Sequence, residues 1–597
     1  MTGILYFVAL WAAVVFAGDF YNESLVLKPL PRNKLLASFQ FDIASLASDF
    51  LAPGDLDSST NRYHHYTYFP RTLGPIIQAT NTRELHLRFT QGWWDSQSWG
   101  SLPYNGTKSG GTGVEVWAIV EAKSLSQAKE NWFKLANTLS GFFCASLNFI
   151  DDSITTLPKN SLNSINNVFT VDPSNKLYLL RAALPSEPIC TENLTPFVKL
   201  LPTRGKAGIS SLLDGHKLFD SLWHGMSIDI TTECNEESCN LNLQQTVNTV
   251  IDIARSIRKK ENGGIPKPVP GDDLRCDESK IHDIWQCFPL PDPTNLSWSL
   301  ETIFGRKIKG PAFVDDESST KIIVDIDSTH WDVNILRDNK DMIIYKQDHI
   351  ESHLTDDVDT DIKFNSEDTS FTTPIDQPPL YVSRSLTGYS QDQGGFRVTF
   401  SNPSQTDPVH FVYSESVPWF MKLYLYTMKY SLKNSEGTFE NFGSELVKEK
   451  YYKPSIDRKR PSQLELSIEL PPQLSLTLTY EFHKSLLLYH EYPPDANHGF
   501  AIEPAVIQII ENEKTQYELR TTSSLLTLPT PDFSMPYNVI ILTCTVMSLA
   551  FGSIFNLLTK EVITEEEYEK ISENSKVTII KTKVRSKIQK IRQLIGR

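Results

Sequence analysis

The chain has 597 residues and a formal net charge of −15 at pH 7, and 40% of its residues are hydrophobic. This length exceeds what one hydrophobic core organises, so we expect at least two domains. Residues 560–597 hold ten Lys or Arg and six Asp or Glu, a net +4, which leaves −19 for the rest of the chain. An acidic main body argues against a nucleic-acid partner.

The first residues have the form of a signal peptide. An apolar run from Ile4 to Phe16 is followed by Ala17, which gives the small-residue pattern that signal peptidase cleaves. No Lys or Arg precedes this run, so an uncleaved signal anchor is the weaker alternative. We predict that residues 1–17 direct the chain into the secretory pathway and are then removed.

Residues 18–300 are predicted to form an N-terminal lumenal lobe of mixed α and β structure. Apolar or alternating runs predict strands at residues 35–41, 85–89 and 114–120. The clearest helix covers residues 124–140, where apolar side chains recur at intervals of three and four, and Ser124 with Gln127 forms a capping box. Alternating apolar residues on both sides of a turn predict a hairpin over residues 226–247.

Six of the seven cysteines precede the C-terminal apolar stretch and would lie in an oxidising compartment. Cys234 and Cys239 flank the hairpin turn, where facing residues come close enough for a disulfide. Cys276 and Cys287 form a second local pair just after a proline-rich linker. We predict both pairs as intrachain disulfides.

Two lumenal cysteines then remain. Cys144 follows Phe142 and Phe143 and is expected to be buried as a small apolar side chain. Cys190 has no local partner, and prolines just before it break regular structure, which favours exposure. An odd lumenal cysteine indicates an intermolecular bond or a reactive thiol, and a Cys144–Cys190 bridge is the alternative.

The sequence contains four N-glycosylation sequons, each with Ser or Thr two residues after the asparagine and no intervening proline. They are Asn22, Asn105, Asn193 and Asn295. Sequons also occur by chance, but four of them behind a signal peptide predict a glycosylated protein of the secretory pathway.

Residues 301–379 are predicted to be a polar variable segment with one strand, at residues 321–326. Within it, Asp357, Asp359 and Asp361 have the spacing that opens an EF-hand calcium loop, but Ile362 occupies the position that requires glycine. We therefore expect a solvated loop at these aspartates, and we predict no metal site.

Residues 380–530 carry the strongest β signal in the chain. Two runs of strict alternation, at residues 464–470 and 474–482, are separated by a Pro-Pro break. Further strands are predicted at residues 396–400, 409–413, 423–430 and 506–510. Short strands with such breaks predict an antiparallel β-sandwich. The fold class is accordingly mainly β, an α+β protein of sandwich-type lumenal domains with a few helices and one C-terminal transmembrane helix.

A transmembrane helix is predicted at residues 537–559. The stretch from Val539 to Leu558 has no charged side chain, and as a helix it spans about 30 Å, the thickness of a bilayer core. The basic residues of the tail, 560–597, place that tail in the cytosol under the positive-inside rule. The chain is thus predicted to be a single-pass type I membrane protein whose bulk is lumenal.

Small and polar residues within the predicted span suggest helix packing. We predict contacts with other transmembrane helices through Ser548, Gly552, Ser553 and Asn556, with a lipid-facing helix as the alternative. Apolar residues from Val577 to Ile595 fall on one helical face of the tail, which predicts either a helix on the cytosolic membrane surface or a solvated tail.

No stretch of the sequence carries a catalytic or cofactor-binding motif. A serine nucleophile elbow is absent, and His490-Glu491 opens like a zinc-protease helix but is followed by Pro493 and Pro494. We therefore predict no catalytic residues and no cofactor. A type I lumenal hydrolase or glycan-processing enzyme, with an active site assembled from scattered carboxylates, is the alternative.

Several long segments resemble the T subunit family of the glycosylphosphatidylinositol (GPI) transamidase. They are GWWDSQSWG from Gly92, LSGFFCASLNFID from Leu139, CTENLTPFVKLLPTRGKAG from Cys190, VPWFMKLYL from Val417, EYPPDANHGF from Glu491 and TPDFSMPYNVIILTCTV from Thr530. The segments run from the N-terminal lobe through the predicted span, so the resemblance covers nearly the whole chain.

The resemblance implies a non-catalytic scaffold subunit of an endoplasmic-reticulum membrane complex. In that family the nucleophilic cysteine belongs to a separate caspase-like subunit, and a disulfide joins that subunit to the position matched here by Cys190. Other multi-span subunits complete the complex, whose substrates are precursor proteins and the GPI lipid. Co-purification distinguishes the two hypotheses, because a scaffold requires a stable complex and a hydrolase requires an active ectodomain.

Overall fold

The computed structural model describes residues 20–47, 68–162, 174–234, 239–257, 274–276, 287–289, 296–314, 318–337, 340–388, 390–434, 439–440, 443–493, 495–511, 514–530, 532 and 534–595. The predicted signal peptide and the Asn295 sequon lie outside these residues. The chain divides into two units, Met1–Pro529 and Thr530–Arg597.

The first part of the larger unit contains sixteen strands among the described residues. They are β1 (Phe20–Leu30), β2 (Lys34–Ala47), β3 (Thr82–Gly92), β4 (Gly113–Ala122), β5 (Lys176–Leu184), β6 (Trp223–Cys234), β7 (Cys239–Asp252), β8 (Leu274–Cys276), β9 (Cys287–Pro289), β10 (Leu296–Ser299), β11 (Ile308–Lys309), β12 (Ser318–Asp325), β13 (Trp331–Arg337), β14 (Lys340–Tyr345), β15 (His349–His353) and β16 (Asp359–Ser366). The helices are α1 (Leu73–Ala79), α2 (Ser96–Trp99), α3 (Leu125–Phe143), α4 (Thr191–Leu200), α5 (Gly215–Leu218), α6 (Ile253–Ile257) and α7 (Leu300–Phe304).

A nine-stranded sheet in the order β15-β12-β1-β2-β7-β6-β3-β4-β5 organises this part. Neighbouring strands are antiparallel except β1 and β12, which run parallel with Leu25 opposite Ile322. The predicted strands at residues 35–41, 85–89 and 114–120 lie inside β2, β3 and β4. The predicted hairpin is formed by β6 and β7, which are central strands because the chain folds back and pairs β7 with β2.

The segment 301–379 contributes far more structure than its polar composition indicates. Besides β12, which covers residues 321–325 of the predicted strand, it supplies β15 to the nine-stranded sheet and the strands β11, β13, β14 and β16 to a second sheet. The solvated loop expected at Asp361 is wrong, since this residue is 4% exposed in β16 and accepts hydrogen bonds from the backbone N–H groups of Glu301 and Ile362. Its carboxylate is therefore occupied by the fold.

Helix α3 packs its apolar stripe on the nine-stranded sheet. Trp132, Leu135 and Leu139 are fully buried in a core that also includes the inner faces of β1–β7 and the second sheet. Ser124 Oγ accepts from Gln127 N at 3.3 Å, while the Gln127 side chain accepts from Lys123 N, one residue before the predicted partner. The helix continues to Phe143, three residues beyond its predicted end.

The C-terminal part of the larger unit is the predicted antiparallel sandwich. Its strands are β17 (Tyr381–Thr387), β18 (Gln393–Ser401), β19 (Val409–Val417), β20 (Met421–Lys433), β21 (Phe439–Glu440), β22 (Val447–Lys453), β23 (Ser462–Leu470), β24 (Ser475–Lys484), β25 (Phe500–Ile502), β26 (Val506–Glu511), β27 (Lys514–Arg520) and β28 (Ser524–Leu526). One sheet has the order β17-β18-β24-β20-β21 and the other β22-β23-β19-β26-β27. Their inward side chains form a second core.

The smaller unit consists of α8 (Ser534–Thr559), α9 (Glu565–Asn574) and α10 (Lys576–Ile595). The stretch Tyr537–Thr559 has a mean hydropathy of 1.9 and no buried part, so its length and composition suit a single membrane span. This agrees with the predicted transmembrane helix at residues 537–559. The apolar residues of the tail lie on α10, as the helical spacing predicts.

Candidate functional site

Cys190 lies at the start of α4, where its backbone is extended, with φ −145° and ψ −176°. Its thiol is free and exposed, as the prolines before it predict. Ile189, immediately before it, is 6% exposed and belongs to the core. The chain therefore emerges from the core directly at the cysteine.

The side chain of Asn193 fixes this position. Its Oδ1 accepts from Cys190 N at 2.9 Å, which caps the helix start, and its Nδ2 donates to Phe143 O at 3.0 Å. Asn193 is 1% exposed, so the start of α4 is fastened to the end of α3 through one buried amide. Farther along α4, Phe197 O accepts from Gln245 Nε2 of β7 at 3.0 Å. Cys190 is thus held on a rigid base.

Cys144 is exposed, and the expectation that it is buried is wrong. It is the residue after α3 and has a left-handed backbone, with φ 52°. Phe143 and Ala145 on either side point into the core, and the reversal at the helix end turns Cys144 outwards between them. Asn193 Nδ2 also lies 3.4 Å from Cys144 O, so both exposed cysteines are held by the same amide, but each has a free thiol.

A groove of about 380 Å³ runs beside α4 on the surface next to Cys190. It is lined by residues of α4 and of the segment around α5, namely Thr191, Leu194, Thr195, Val198, Lys199, Arg204, Leu213, Asp214, Gly215 and His216. Asp214 caps α5 by accepting from His216 N and also pairs with Arg306 at 3.0 Å, so this wall is ordered. Thr191, the residue after Cys190, lines the groove, and we call the thiol of Cys190 and this groove together the Cys190 surface.

The strand registers bring the other predicted cysteine pairs face to face. Cys234 pairs with Cys239 at the end of the β6–β7 hairpin, and Cys276 pairs with Cys287 in the β8–β9 ribbon. Directly opposite residues in antiparallel strands have Cα separations compatible with a disulfide. The two intrachain bridges remain predictions.

The sequons differ in their surroundings. Asn105 is exposed in a 3-10 turn, with φ 53°, and Asn22 is half-buried on β1, where its Oδ1 accepts from Ser319 Oγ at 2.7 Å. The amide of Asn193 is buried and bonded as described above, which argues against a glycan at that position. Asn105 is therefore the best-presented glycosylation site among the described sequons.

A buried charge cluster lies on the polar face of the nine-stranded sheet. Asp229 accepts from Arg88 Nη2 at 2.6 Å and from Lys108 Nζ at 3.1 Å, and its Oδ1 lies 2.6 Å from His86 Nδ1. Burial lowers the pKa of His86, but hydrogen bonds to Asp229 and Glu84 outweigh it and raise the pKa overall. His86 is 1% exposed and both its ring nitrogens have carboxylate partners, so the cluster offers no open position to a substrate.

A second cluster joins the sheet to the sandwich. Glu115 on β4 accepts from Arg181 Nε at 2.8 Å and from Arg520 Nε of β27 at 3.1 Å. Burial raises the pKa of Glu115, but the two arginines lower it more, to about 2. Arg181 also pairs with Glu503 at 2.8 Å, and Arg520 with Glu518 at 2.7 Å. Sequence patterns missed both clusters because their members lie far apart along the chain.

The loop before residue 163 completes this joint. Backbone N–H groups of Lys159 and Asn160 donate to Glu465 of β23, and Leu162 N donates to Gln508 of β26. Each of these acceptors is fully or almost fully buried. The two lobes are thus fixed to each other by paired charges and by directed hydrogen bonds, which suits a body that must hold its shape.

Within the part of the chain that the structure describes, no group of three or more His, Cys, Asp or Glu side chains could hold a metal ion. On α8, Ser548, Gly552 and Asn556 recur every four residues and share one face, with Ser553 beside them. That face is the predicted packing surface of the span.

Comparison with known proteins finds one family that matches nearly the whole chain. The family model described as "Gpi16 subunit, GPI transamidase component" matches residues 5–585. The "GPI transamidase component GPI16" of Saccharomyces cerevisiae is 46% identical over 92% of this chain and 90% of its own length. The "GPI transamidase component PIG-T homolog" of Schizosaccharomyces pombe is 32% identical over 94% of each chain, and the human "GPI-anchor transamidase component PIGT" is 31% identical over 93% of each. The chain therefore belongs to the Gpi16 family of GPI transamidase components.

Proposed function

We propose that this chain is the non-catalytic scaffold subunit of a GPI transamidase in the endoplasmic-reticulum membrane. In this proposal it holds and stabilises the caspase-like catalytic subunit, which attaches GPI anchors to precursor proteins, and its span packs against multi-span subunits. In this proposal residues 18–537 are lumenal and the tail, residues 560–597, is cytosolic.

The observation that carries the proposal is the Cys190 surface. A disulfide between subunits requires an accessible thiol, and Cys190 is free, exposed and seated on a helix start that the buried Asn193 amide fixes. The adjacent groove offers a contact area to the partner. A bond at such a point raises the effective concentration of the catalytic subunit and contributes no chemistry of its own.

The rigid joint between the lobes supports the same role. A scaffold must present its surfaces in fixed relative positions, and the Glu115–Arg181–Arg520 cluster ties β4 and β5 to β27 in the interior. The members of each cluster pair with one another in the interior, and the cluster around His86 and Asp229 offers no open position to a substrate. Their geometry is that of structural supports.

Substitution of Cys190 by serine tests the proposal. In the detergent-solubilised complex, Cys190→Ser should abolish a disulfide-linked species of this chain and the catalytic subunit on non-reducing gels. GPI attachment should fall but persist, because the contacts of the groove remain. The matched control is Cys144→Ser, since Cys144 is the neighbouring exposed thiol and is held by the same amide.

Two results would refute the assignment. One is a linked species that persists in Cys190→Ser, and the other is peptide mapping that identifies Cys144 as the partner of Cys190. Purification of an active, monomeric ectodomain with hydrolase activity would refute the scaffold role as a whole.

A further inference from the structure

A second pocket lies where the nine-stranded sheet meets the open edges of the sandwich. Its volume is about 340 Å³, within the range of small-molecule sites. It is bounded by the end of β3, by the segment 109–112 and by the edge strands β17 and β27. We call it the Trp93 pocket.

Trp93 dominates one wall. Strand β3 ends at Gly92, whose φ of +89° turns the chain sharply, and a Cβ there would lie 2.4 Å from Leu222 O. The next residue, Trp93, is 61% exposed, whereas Trp94 packs edge-on against Trp99 and Trp223 and donates from Nε1 to Gly100 O at 2.9 Å. Trp94 therefore anchors the loop, and the indole of Trp93 is exposed to solvent.

The rest of the lining is rich in hydroxyl groups. Seven of the lining residues carry an aliphatic hydroxyl, namely Thr90, Ser96, Ser109, Thr112, Thr521, Thr522 and Ser523. Among the described residues that line the pocket, none is Asp, Glu, Lys or His, and the guanidinium of Arg520 is already paired with Glu115 and Glu518. The wall is therefore polar but close to neutral.

Two of the lining groups have unused hydrogen-bonding capacity. Ser109 is 4% exposed and its Oγ has no hydrogen-bond partner among the described residues, and the same is true of Nη2 of Arg520, whose side chain is also 4% exposed. Both atoms are themselves inaccessible to solvent, so a ligand in the pocket would not reach them. The hydroxyls within its reach are those of the exposed or partly exposed residues Ser96, Thr112, Thr522 and Ser523.

We propose that the Trp93 pocket binds a pyranose sugar ring. A pyranose has one face of C–H groups, which the electron-rich face of an indole attracts, and a rim of hydroxyls, which pair with Ser and Thr hydroxyls. A cation would need carboxylates, a phosphate would need free positive charge, and an acyl chain would place carbon against the accessible hydroxyls of the lining. A neutral sugar can stack on the indole of Trp93 and also form hydrogen bonds with the hydroxyls of the lining.

The position of Asn105 offers one source for that sugar. Leu102 lines the pocket, and the 3-10 turn Pro103–Gly106 that follows it carries Asn105 on its exposed side. An N-linked glycan on this chain and a sugar on another molecule share the same pyranose chemistry. This inference is independent of the disulfide at Cys190, so failure of one leaves the other standing.

The test uses the purified complex after enzymatic removal of N-glycans, titrated with N-acetylglucosamine and with mannose and followed by saturation-transfer NMR. We expect binding that weakens about tenfold in Trp93→Ala, since loss of one stacked aromatic removes about 1.4 kcal/mol. Because Trp93 is exposed, this variant should keep the unfolding temperature of the wild type. The matched control is Phe149→Ala, which removes an aromatic side chain that is 70% exposed outside the pocket.

The glycosylated complex and Asn105→Gln identify the source. If the glycan of this chain occupies the pocket, added sugar binds only after deglycosylation or in Asn105→Gln. If the sugar comes from another molecule, its affinity is the same for the glycosylated complex, the deglycosylated complex and Asn105→Gln. Both results support a sugar site. Absence of binding in every form, equal binding by Trp93→Ala, or displacement of the sugar by an unglycosylated peptide would overturn the proposal.

Discussion

Glu23 provides a test of how burial controls the stability of the N-terminal lobe. It lies on β1, is 2% exposed, and accepts hydrogen bonds from Ile209 N and Thr320 Oγ1 at 2.9 Å and from Tyr21 OH at 3.0 Å. Gly208, with φ +63°, brings the loop so close that a Cβ there would meet the carboxylate at 1.9 Å. Burial raises the pKa of Glu23 to about 7, more than these hydrogen bonds lower it.

The direction of the pH dependence follows from this raised pKa. At pH values between 4.5, the ordinary pKa of glutamate, and about 7, the folded chain holds a proton on Glu23 that the unfolded chain has lost. Stability from this group is therefore complete below pH 4.5 and decreases as the pH rises to about 7. At 1.36 kcal/mol per pH unit, the loss amounts to about 3 kcal/mol.

Glu23→Gln should remove this dependence. Glutamine keeps an acceptor for Ile209 N and Thr320 Oγ1, and its amide can donate to the Tyr21 hydroxyl oxygen, so the variant should be more stable than the wild type above pH 7. The assay is the unfolding temperature of the full chain in detergent at pH 5 and pH 7.5, from tryptophan fluorescence. Glu481→Gln, at an exposed position on β24, is the control. The reasoning is refuted if the wild type and Glu23→Gln lose the same stability between the two pH values.

Three further predictions concern other parts of the chain. Glu115→Gln should destabilise the larger unit by about 3–5 kcal/mol, because two buried arginines lose their shared carboxylate. The control Glu469→Gln, in an exposed pair with Lys448, should cost less than about 1 kcal/mol. Equal unfolding temperatures of the two variants would contradict this. Asn556→Leu should reduce recovery of multi-span subunits with this chain, because an interhelical amide contributes about 0.6–2 kcal/mol, and recovery equal to that of the control Leu557→Ala would remove the packing role. Peptide mapping of alkylated, unreduced protein should recover Cys234 linked to Cys239 and Cys276 linked to Cys287; free thiols at either pair would disprove that bridge.

Local sequence patterns were enough to predict the helices and strands that bury one face. Strict alternation in residues 464–470 and 474–482 predicts β23 and β24, because a half-buried strand repeats every two residues. The stripe of α3 and the uncharged stretch of α8 are read in the same way, from the helical repeat and from the absence of charge. The exposure of Cys190 also follows locally, since prolines end regular structure before it.

The tertiary structure alone decided what depends on distant partners. Strand β12 joins β1 in a parallel pair about three hundred residues apart along the chain, and its polar neighbours gave no sign that the segment 301–379 would extend the main sheet. Cys144 is exposed although its neighbours are buried, because the left-handed residue after α3 reverses the chain. His86 and Asp229 meet across 143 positions, where each buried charge is stable only because the fold supplies its counter-ion. Sequence periodicity records which face of an element is buried, and it carries no information on which element covers that face.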